Sequence, residues 1–222
     1  MKLVLCSEGF YSPNTVQACI ELVGKPQDQI SVAVINEAYA VEKGDKYWVL
    51  DNLNDVAKNF KGGMDIVNLL ALPLDKVEEN IMKCDVIFVV GGNTDYLMHV
   101  FDKTGFSKLL PKLLETKVYV GSSAGSMVIG RRVSTAAYTK IYEEPGDWGV
   151  NDYLGLLDVA IEPHLNSANF PNNRAEILEQ VCGGVNFPVY ALKDDSALVV
   201  NSTEQKFIGS APIKIVDGKI VL

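Results

Sequence analysis

Short, uninterrupted runs of apolar residues recur along this chain and alternate with segments of helical periodicity. The clearest run lies in Asp85–Val90 (DVIFVV), where five apolar residues follow one another. Lys2–Cys6 (KLVLC) and Ile30–Ile35 (ISVAVI) are similar, and helically spaced apolar residues separate them over Asn14–Val23. Strands without a polar face are typical of a parallel sheet that is covered by helices on both sides. The pattern therefore predicts an α/β domain.

The same alternation continues toward the C-terminal end. Further strands are predicted over Asp65–Leu70, Lys117–Val120, Leu157–Ile161 and Val189–Leu192, and helices over Asp75–Lys83, Thr94–Val100, Phe106–Glu115, residues 124–130 and Ala175–Val181. Arg131–Tyr153 is predicted to be a long irregular segment, of the kind that borders active sites. The tail Ala197–Leu222, with a hairpin signal at Asp217–Gly218, is predicted to add antiparallel strands to the sheet. Because no linker or repeat divides the chain, we expect residues 1–222 to form a single catalytic domain.

Composition and charge exclude several classes of function. Hydrophobic residues make up 48% and charged residues 22% of the 222, as in ordinary globular proteins. A net charge of −8 without clustered Lys or Arg argues against nucleic acid as a partner. Met1–Cys6 is too short for the core of a signal peptide, and no later run is long enough to span a membrane. We expect a cytoplasmic protein that does not bind membranes, and the sequence leaves open whether it forms a homodimer.

The cysteines give no sign of a metal site or of disulfides. Cys6, Cys19, Cys84 and Cys182 are widely spaced, with no CxxC pair and no neighbouring His that would complete a zinc ligand set. We expect reduced and mostly buried thiols. Since no motif requires a metal or an organic cofactor, none is predicted.

The segment GSSAG (121–125) follows a predicted strand and precedes a predicted helix. A serine in such a sharp turn has an exposed hydroxyl, and small residues two positions away, here Gly121 and Gly125, relieve the crowding. The helix that begins there directs backbone N–H groups toward a developing oxyanion. Ser123 is therefore the candidate nucleophile and the Ala124 amide a candidate oxyanion donor. The alternative is a serine that only caps a helix.

A second glycine-containing turn, Val90–Thr94 (VGGNT), follows another predicted strand. Its glycines permit close backbone approach, so the Gly92 amide is a candidate second oxyanion donor. The alternative is a turn before a helix that Asn93 or Thr94 caps. The turn lacks the GxGxxG spacing of a dinucleotide site.

A serine nucleophile needs a general base, and the chain has two histidines. His99 lies within a predicted helix (YLMHVF), where packing is the commoner role. His164 (EPHLN) follows a predicted strand and is the better candidate base, the alternative being a histidine that only forms hydrogen bonds within its loop.

The base in turn needs an acidic partner that fixes its tautomer. Asp194, at the end of a predicted strand, is the first choice, and Asp195 stays open as an alternative. Glu162 also stays open, since it lies two residues before His164 in an extended segment and shares its face. An ordinary α/β-hydrolase would need an acid between the serine and the histidine, such as Asp158.

Four segments together resemble a known family. Residues 91–94 (GGNT), 121–126 (GSSAGS), 163–164 (PH) and 193–200 (KDDSALVV) are similar in order and spacing to the peptidase E family of serine peptidases, which contains aspartyl dipeptidases and is related to cyanophycinase. The resemblance implies a flavodoxin-like three-layer sandwich related to the class I glutamine amidotransferases, with serine in place of cysteine. It also implies a mostly parallel sheet with antiparallel C-terminal strands.

The resemblance carries site roles with it. It implies a triad of Ser123, His164 and Asp194, oxyanion donors at Gly92 and Ala124, and Asn93 near the substrate. Family members commonly have Glu as the third triad residue, where this chain has Asp194. Aspartyl dipeptidases bind the acidic N-terminal residue through a basic group, and Arg174 lies in about the right place; the alternative is an arginine in solvent at a helix start.

The function that follows is a serine exopeptidase acting on small peptides through an acyl-enzyme, with N-terminal Asp dipeptides as the expected substrates. Two other hypotheses remain open. One is a catalytically silent module that binds a small acidic ligand in the same crevice, and the other is a general esterase or amidase.

Overall fold

Two β-sheets and the helices around them form the part of the chain that the structure describes. The structure is a computed structural model and describes residues 1–144 and 147–221. Its strands are β1 (Lys2–Cys6), β2 (Val32–Ile35), β3 (Met64–Ile66), β4 (Val86–Val89), β5 (Val118–Ser122), β6 (Ala160–Glu162), β7 (Val189–Ala191), β8 (Ala197–Asn201), β9 (Glu204–Ile208), β10 (Ile213–Val216) and β11 (Lys219–Val221). Its helices are α1 (Pro13–Val23), α2 (Tyr47–Asn59), α3 (Leu74–Met82), α4 (Thr94–Thr104), α5 (Phe106–Leu113), α6 (Ala124–Met127), α7 (Thr135–Tyr142) and α8 (Ala175–Val181).

The larger sheet has seven strands in the order β3-β2-β4-β5-β1-β8-β9. The first five strands in this order run parallel to their neighbours, whereas β8 pairs antiparallel with β1 and with β9. The predicted fold class, an α/β fold with a mostly parallel sheet and antiparallel C-terminal strands, is confirmed.

Helices cover both faces of the larger sheet. On β4, Val86 and Phe88 face one apolar core together with residues of α1 and α2, and Ile87 and Val89 face a second core together with residues of α3 to α6. Burial on both faces explains why the strands lack polar alternation. Each fully buried aliphatic or aromatic side chain contributes about 1.5–3 kcal/mol.

The smaller sheet, with the order β11-β10-β7-β6, packs into the second of these cores. Strands β6 and β7 are parallel, and β10 pairs antiparallel with β7 and β11. The prediction that the whole tail would extend one sheet was wrong in part. β8 and β9 join the larger sheet, but β10 instead pairs with β7.

Three further predictions differ from the structure. Helix α2 was not predicted. Its buried residues are Val49 and Val56, and polar residues dominate the rest, so its sequence shows no clear apolar face. Helix α7 lies within the segment predicted to be irregular, and Ser134 caps it by accepting a hydrogen bond of 3.0 Å from the Ala137 N–H. Strand β3 is shorter than predicted, because the chain turns away from the sheet beyond it. There the Leu69 N–H donates to the Glu37 carboxylate instead of to the backbone of a neighbouring strand.

Candidate active site

The candidate site residues meet at the carboxyl edge of the larger sheet. Strands β4, β5 and β1 are parallel neighbours, so the loops that follow them meet at the edge where ligands bind in open α/β sheets. These loops carry Gly92, Ser123 and Ser7. His164 follows β6 of the smaller sheet, and Asp194 lies between β7 and β8. Residues of both sheets therefore build the site.

Ser123 lies in a strained turn between β5 and α6. Its φ of 49° and ψ of −115° are rare for a residue other than glycine. The end of β1 holds this turn, since the Ser123 N–H donates to the carbonyls of Cys6 at 3.2 Å and Ser7 at 3.0 Å. At Gly125 a Cβ would collide with the Val89 carbonyl, so the close approach of α6 to β4 requires glycine there. At this turn Ser123 is half-buried and lines a cleft.

A continuous chain of hydrogen bonds joins the three predicted triad residues. The Ser123 Oγ donates to His164 Nε2 at 3.0 Å, and His164 Nδ1 donates to Asp194 Oδ1 at 2.7 Å. Because a carboxylate only accepts, it fixes the proton on Nδ1 and leaves Nε2 free to take the serine proton. Burial would raise the pKa of Asp194, but hydrogen bonds from His164 and Ser7 outweigh it and hold this pKa below its usual value. Asp194 is therefore ionised at neutral pH.

The two aspartates considered as alternatives lie elsewhere. Asp195 accepts hydrogen bonds from the N–H and the hydroxyl of Ser210, at 3.1 and 2.9 Å. Asp158 is exposed and lies 3.4 Å from the Arg131 guanidinium. The structure therefore brings Asp194, and neither of these, to His164.

Glu162 does not orient His164 either. Its Oε2 lies 2.8 Å from the Tyr142 hydroxyl, and its Oε1 has no hydrogen-bond partner among the described residues. Burial raises the pKa of Glu162 to about 8, although the Tyr142 hydrogen bond lowers it. This carboxyl is therefore mostly protonated at neutral pH.

His99 is part of an aromatic cluster on α4. Its ring centroid lies 6.4 Å from that of Tyr96 and 5.8 Å from that of Trp148. This packing role matches the reading that the sequence favours for His99.

The two candidate oxyanion donors lie beside the nucleophile. Gly92 has a φ of 130°, and a Cβ there would collide with the Ala38 carbonyl, so this position requires glycine. Ala124 is the first residue of α6. Within residues 1–144 and 147–221, neither the Gly92 N–H nor the Ala124 N–H makes a hydrogen bond. Both amides are thus free to bind a ligand atom.

The two residues predicted to bind substrate have other contacts. Asn93 is buried, and its Oδ1 caps α4 by accepting from the Tyr96 N–H at 2.8 Å. The Arg174 guanidinium donates to the carbonyls of Phe170 and Asn173, at 3.1 and 2.8 Å, and to a third carbonyl, that of residue 167, at 3.1 Å. Neither side chain lines the cleft that contains Ser123, as far as its lining is described.

Arg174 instead holds the loop that contains Phe170, a residue that the sequence analysis did not identify. The ring of Phe170 stacks on that of His164, with centroids 4.3 Å apart and planes 16° apart. Both rings line the cleft. Phe170 therefore forms part of the wall around the candidate base.

The cleft beside Ser123 has a volume of about 510 Å³ and an acidic lining. Its described walls include the acidic residues Glu8, Glu42, Asp45 and Glu144, and Lys43 is the one lysine among them. Burial raises the pKa of Glu8 and of Glu42, and raises that of Glu144 to about 8. At neutral pH the cleft carries more negative than positive charge.

Ser7, the first residue after β1, was also missed. It is fully buried, its Oγ donates to Asp194 Oδ1 at 3.0 Å, and it accepts from the His164 N–H at 2.7 Å. A signal was present in the sequence, because a polar residue that directly follows a buried strand lies at the edge where the GSSAG turn also lies.

Comparisons with known proteins place the chain in a family. The sequence model of peptidase family S51 matches residues 5–208. An uncharacterised peptidase of Pasteurella multocida is 25% identical over 85% of this chain and 89% of its own length. Peptidase E of Shewanella amazonensis is 29% identical over 63% of this chain and 60% of its own length.

Solved structures share the fold. A Listeria monocytogenes protein provisionally named peptidase E superposes with a TM-score of 0.75 at 22% identity, over 95% of this chain and 98% of that one. A peptidase from an acI-B1 actinobacterium gives a TM-score of 0.62 at 16% identity, over 99% and 96% of the two chains. At these identities the likeness shows the fold alone.

The fold and the family match together define a serine-type peptidase. The chain belongs to peptidase family S51, and the resemblance to peptidase E is confirmed. No helix in the described ranges has the length and apolar character needed to cross a bilayer. The residues that the structure describes also contain no group of three or more His, Cys, Asp or Glu side chains suited to a metal ion.

Proposed function

We propose that this protein is a serine exopeptidase that hydrolyses small peptides through a Ser123–His164–Asp194 triad. The observation that carries the proposal is the unbroken chain of hydrogen bonds from Ser123 Oγ through His164 to Asp194, at 3.0 and 2.7 Å. Such a chain supplies a nucleophile, a general base and a group that orients the base.

In the proposed reaction, His164 Nε2 takes the proton of Ser123 as its Oγ attacks the scissile carbonyl. The Gly92 and Ala124 amides donate to the oxyanion that forms, and Asp194 stabilises the imidazolium. His164 then protonates the leaving amine, and the acyl-enzyme remains. Water, deprotonated by His164, attacks this ester and releases Ser123.

The size and charge of the cleft support a small substrate that is held by its free amino end. A cavity of about 510 Å³ is within the range of small-ligand sites. The excess of carboxylates in its lining favours the α-ammonium group of a peptide over its α-carboxylate.

A preference for N-terminal Asp stays a prediction, and the charge of the cleft opposes it. An Asp side chain would add negative charge beside Glu8 and Glu42, and the guanidinium of Arg174 already donates to three carbonyls. By charge alone, a neutral or basic N-terminal residue fits this cleft better.

The test combines labelling of the nucleophile with a panel of dipeptides. A fluorophosphonate probe should label the wild-type protein but not Ser123→Ala. The control is Ser31→Ala, which should be labelled like wild type, because Ser31 lies at the opposite edge of the sheet. In a panel of dipeptides with N-terminal Asp, Ala or Lys, Ser31→Ala should hydrolyse each peptide at the wild-type rate for that peptide, and Ser123→Ala should hydrolyse none. An unlabelled wild-type protein that hydrolyses none of these peptides would favour the silent binding module instead.

A further inference from the structure

One residue outside the triad makes a hydrogen bond to each of its three members. The Ser7 carbonyl accepts from the Ser123 N–H at 3.0 Å. The Ser7 Oγ accepts from the His164 N–H at 2.7 Å and donates to Asp194 Oδ1 at 3.0 Å. These partners follow strands of both sheets, and the farthest of them in sequence, Asp194, lies 187 residues after Ser7.

The position of Ser7 is itself well fixed. It directly follows β1, which lies between β5 and β8 in the larger sheet, and its N–H donates to the Ser196 carbonyl at 3.1 Å. The side chain is fully buried, so its hydroxyl cannot exchange these partners for bulk water. Among residues 1–144 and 147–221, the Asp194 carboxylate is the one acceptor for the hydroxyl proton of Ser7.

Two of the triad residues have conformations that need such support. His164 has a φ of 65°, in the left-handed region that residues other than glycine rarely adopt, and Ser123 has a φ of 49°. Ser7 accepts a hydrogen bond from the backbone N–H of each of them. Strained residues persist only where the surroundings hold them, and these two bonds are part of that surrounding.

We propose that Ser7 is a positioning residue of the active site, which aligns His164 and Asp194 through its hydroxyl. This inference rests on the proposed triad chemistry. The hydroxyl acts in two ways. It fixes the His164 backbone, and therefore the direction of the ring, and it holds the Asp194 oxygen that receives the Nδ1 proton. Ser7 has no contact with the substrate in this role.

The test removes the hydroxyl and follows reactions that depend on alignment. In Ser7→Ala, kcat and the rate of fluorophosphonate labelling should fall in parallel by roughly 10- to 100-fold, with little change in KM. In Ser7→Ala the Asp194 oxygen that faces His164 Nδ1 loses its second donor and keeps more negative charge for the imidazolium, so the acid limb of the pH–rate profile, which belongs to the coupled His164–Asp194 pair, should move to higher pH. A residue with only a structural role would not move that limb.

The chain offers a closely matched control. Ser31 Oγ donates to Asp85 Oδ2 at 3.1 Å and accepts from the Asp85 N–H at 3.2 Å, at the opposite edge of the sheet. Ser31→Ala therefore removes the same kind of serine–aspartate contact, and it should leave kcat, labelling and the pH profile unchanged. Ser7→Cys, which keeps the buried volume but donates weakly, should behave like Ser7→Ala and covers the case in which Ser7→Ala fails to fold.

The outcomes separate this inference from the proposed function. Labelling and a pH profile that stay at wild-type values in both Ser7 variants, while Ser123 of the wild type reacts normally, would overturn the role of Ser7 alone. A wild-type protein that neither reacts with the probe nor hydrolyses peptides would overturn the proposed function first.

Discussion

The carboxylate of Asp194 and its neighbour Asp195 differ sharply in their surroundings, although they are adjacent in sequence. Asp194 accepts from His164 and Ser7, whereas Asp195 accepts from Ser210 on another loop. The sequence could not separate them, because adjacent residues at a strand end point in different directions and the turn alone decides which one meets the histidine.

This difference predicts unequal effects of two conservative substitutions. In Asp194→Asn the amide can donate to Nδ1 and so favours the wrong imidazole tautomer, and kcat should fall by about 10³- to 10⁴-fold. Asp195→Asn should change kcat by less than about 3-fold, since Asp195 accepts hydrogen bonds from Ser196 and Ser210 rather than from His164. Steady-state kinetics on the best dipeptide would measure both, and similar losses in the two variants would contradict the assignment.

Glu162 makes the stability of the protein depend on pH. Burial raises its pKa to about 8 in the folded state, against about 4.3 in an unfolded chain. The folded state therefore holds the proton more tightly. The stabilisation from this group is fully present below pH 4, and it is lost as the pH rises through 8.

Glu162→Gln tests this sign, because the amide is neutral like the protonated carboxyl and its oxygen can accept from the Tyr142 hydroxyl. The variant should melt close to wild type at pH 5, and its melting temperature relative to wild type should rise between pH 5 and pH 9. Thermal unfolding across that range measures the difference. A constant difference would mean that Glu162 does not titrate as described.

At the scale of the elements, the strand-to-helix turns were predictable and the pairing of the last strands was not. The apolar strands, the GSSAG and GGN turns and the two-sided burial all follow from local patterns. The choice of β10 between two sheets depends on β7, more than 20 residues earlier, and short alternating segments specify register weakly. Ser7 was missed for a related reason, since its partners lie far away in sequence.

The packing of α6 against β4 predicts a cost for a small substitution. In Gly125→Ala the new methyl group would collide with the Val89 carbonyl, so the free energy of unfolding should fall by about 1–3 kcal/mol and Ser123 labelling should slow. Gly183→Ala is the control, because the nearest atom to a Cβ there is 3.9 Å away. Urea unfolding would compare the two, and equal midpoints would contradict the predicted collision.

At the scale of the whole molecule, the chain has an excess of acidic residues, and the lining of the cleft shares this excess. The net charge is −8, and in the described lining of the cleft Glu8, Glu42 and Asp45 stand against one lysine, since burial keeps Glu144 mostly protonated at neutral pH. Charges in a concave site focus the potential that an incoming ligand meets. Peptide charge should therefore affect kcat/KM through the rate of capture.

Glu42→Gln should lower kcat/KM for a dipeptide with N-terminal Lys by about 5-fold, the effect of roughly one exposed ion pair, and should hardly affect N-terminal Ala. Glu21→Gln on α1 removes the same charge from outside the cleft and should have no effect. Added salt should reduce the preference for Lys. A faster reaction with N-terminal Asp than with Lys, insensitive to Glu42→Gln, would contradict this view of the cleft.

Ser7 and Ser123 follow strands of the larger sheet, whereas His164 and Asp194 follow strands of the smaller sheet. Neither sheet alone therefore carries all four of these residues. The contacts of Ser7 with His164 and Asp194 close loops of more than 150 residues, which is entropically costly. Under the proposed triad, a chain that has formed its helices and local turns but lacks these contacts has no assembled nucleophile and base. Peptide cleavage by this triad would thus require the long-range contacts between the two sheets, and an activity assay would double as a test of correct folding.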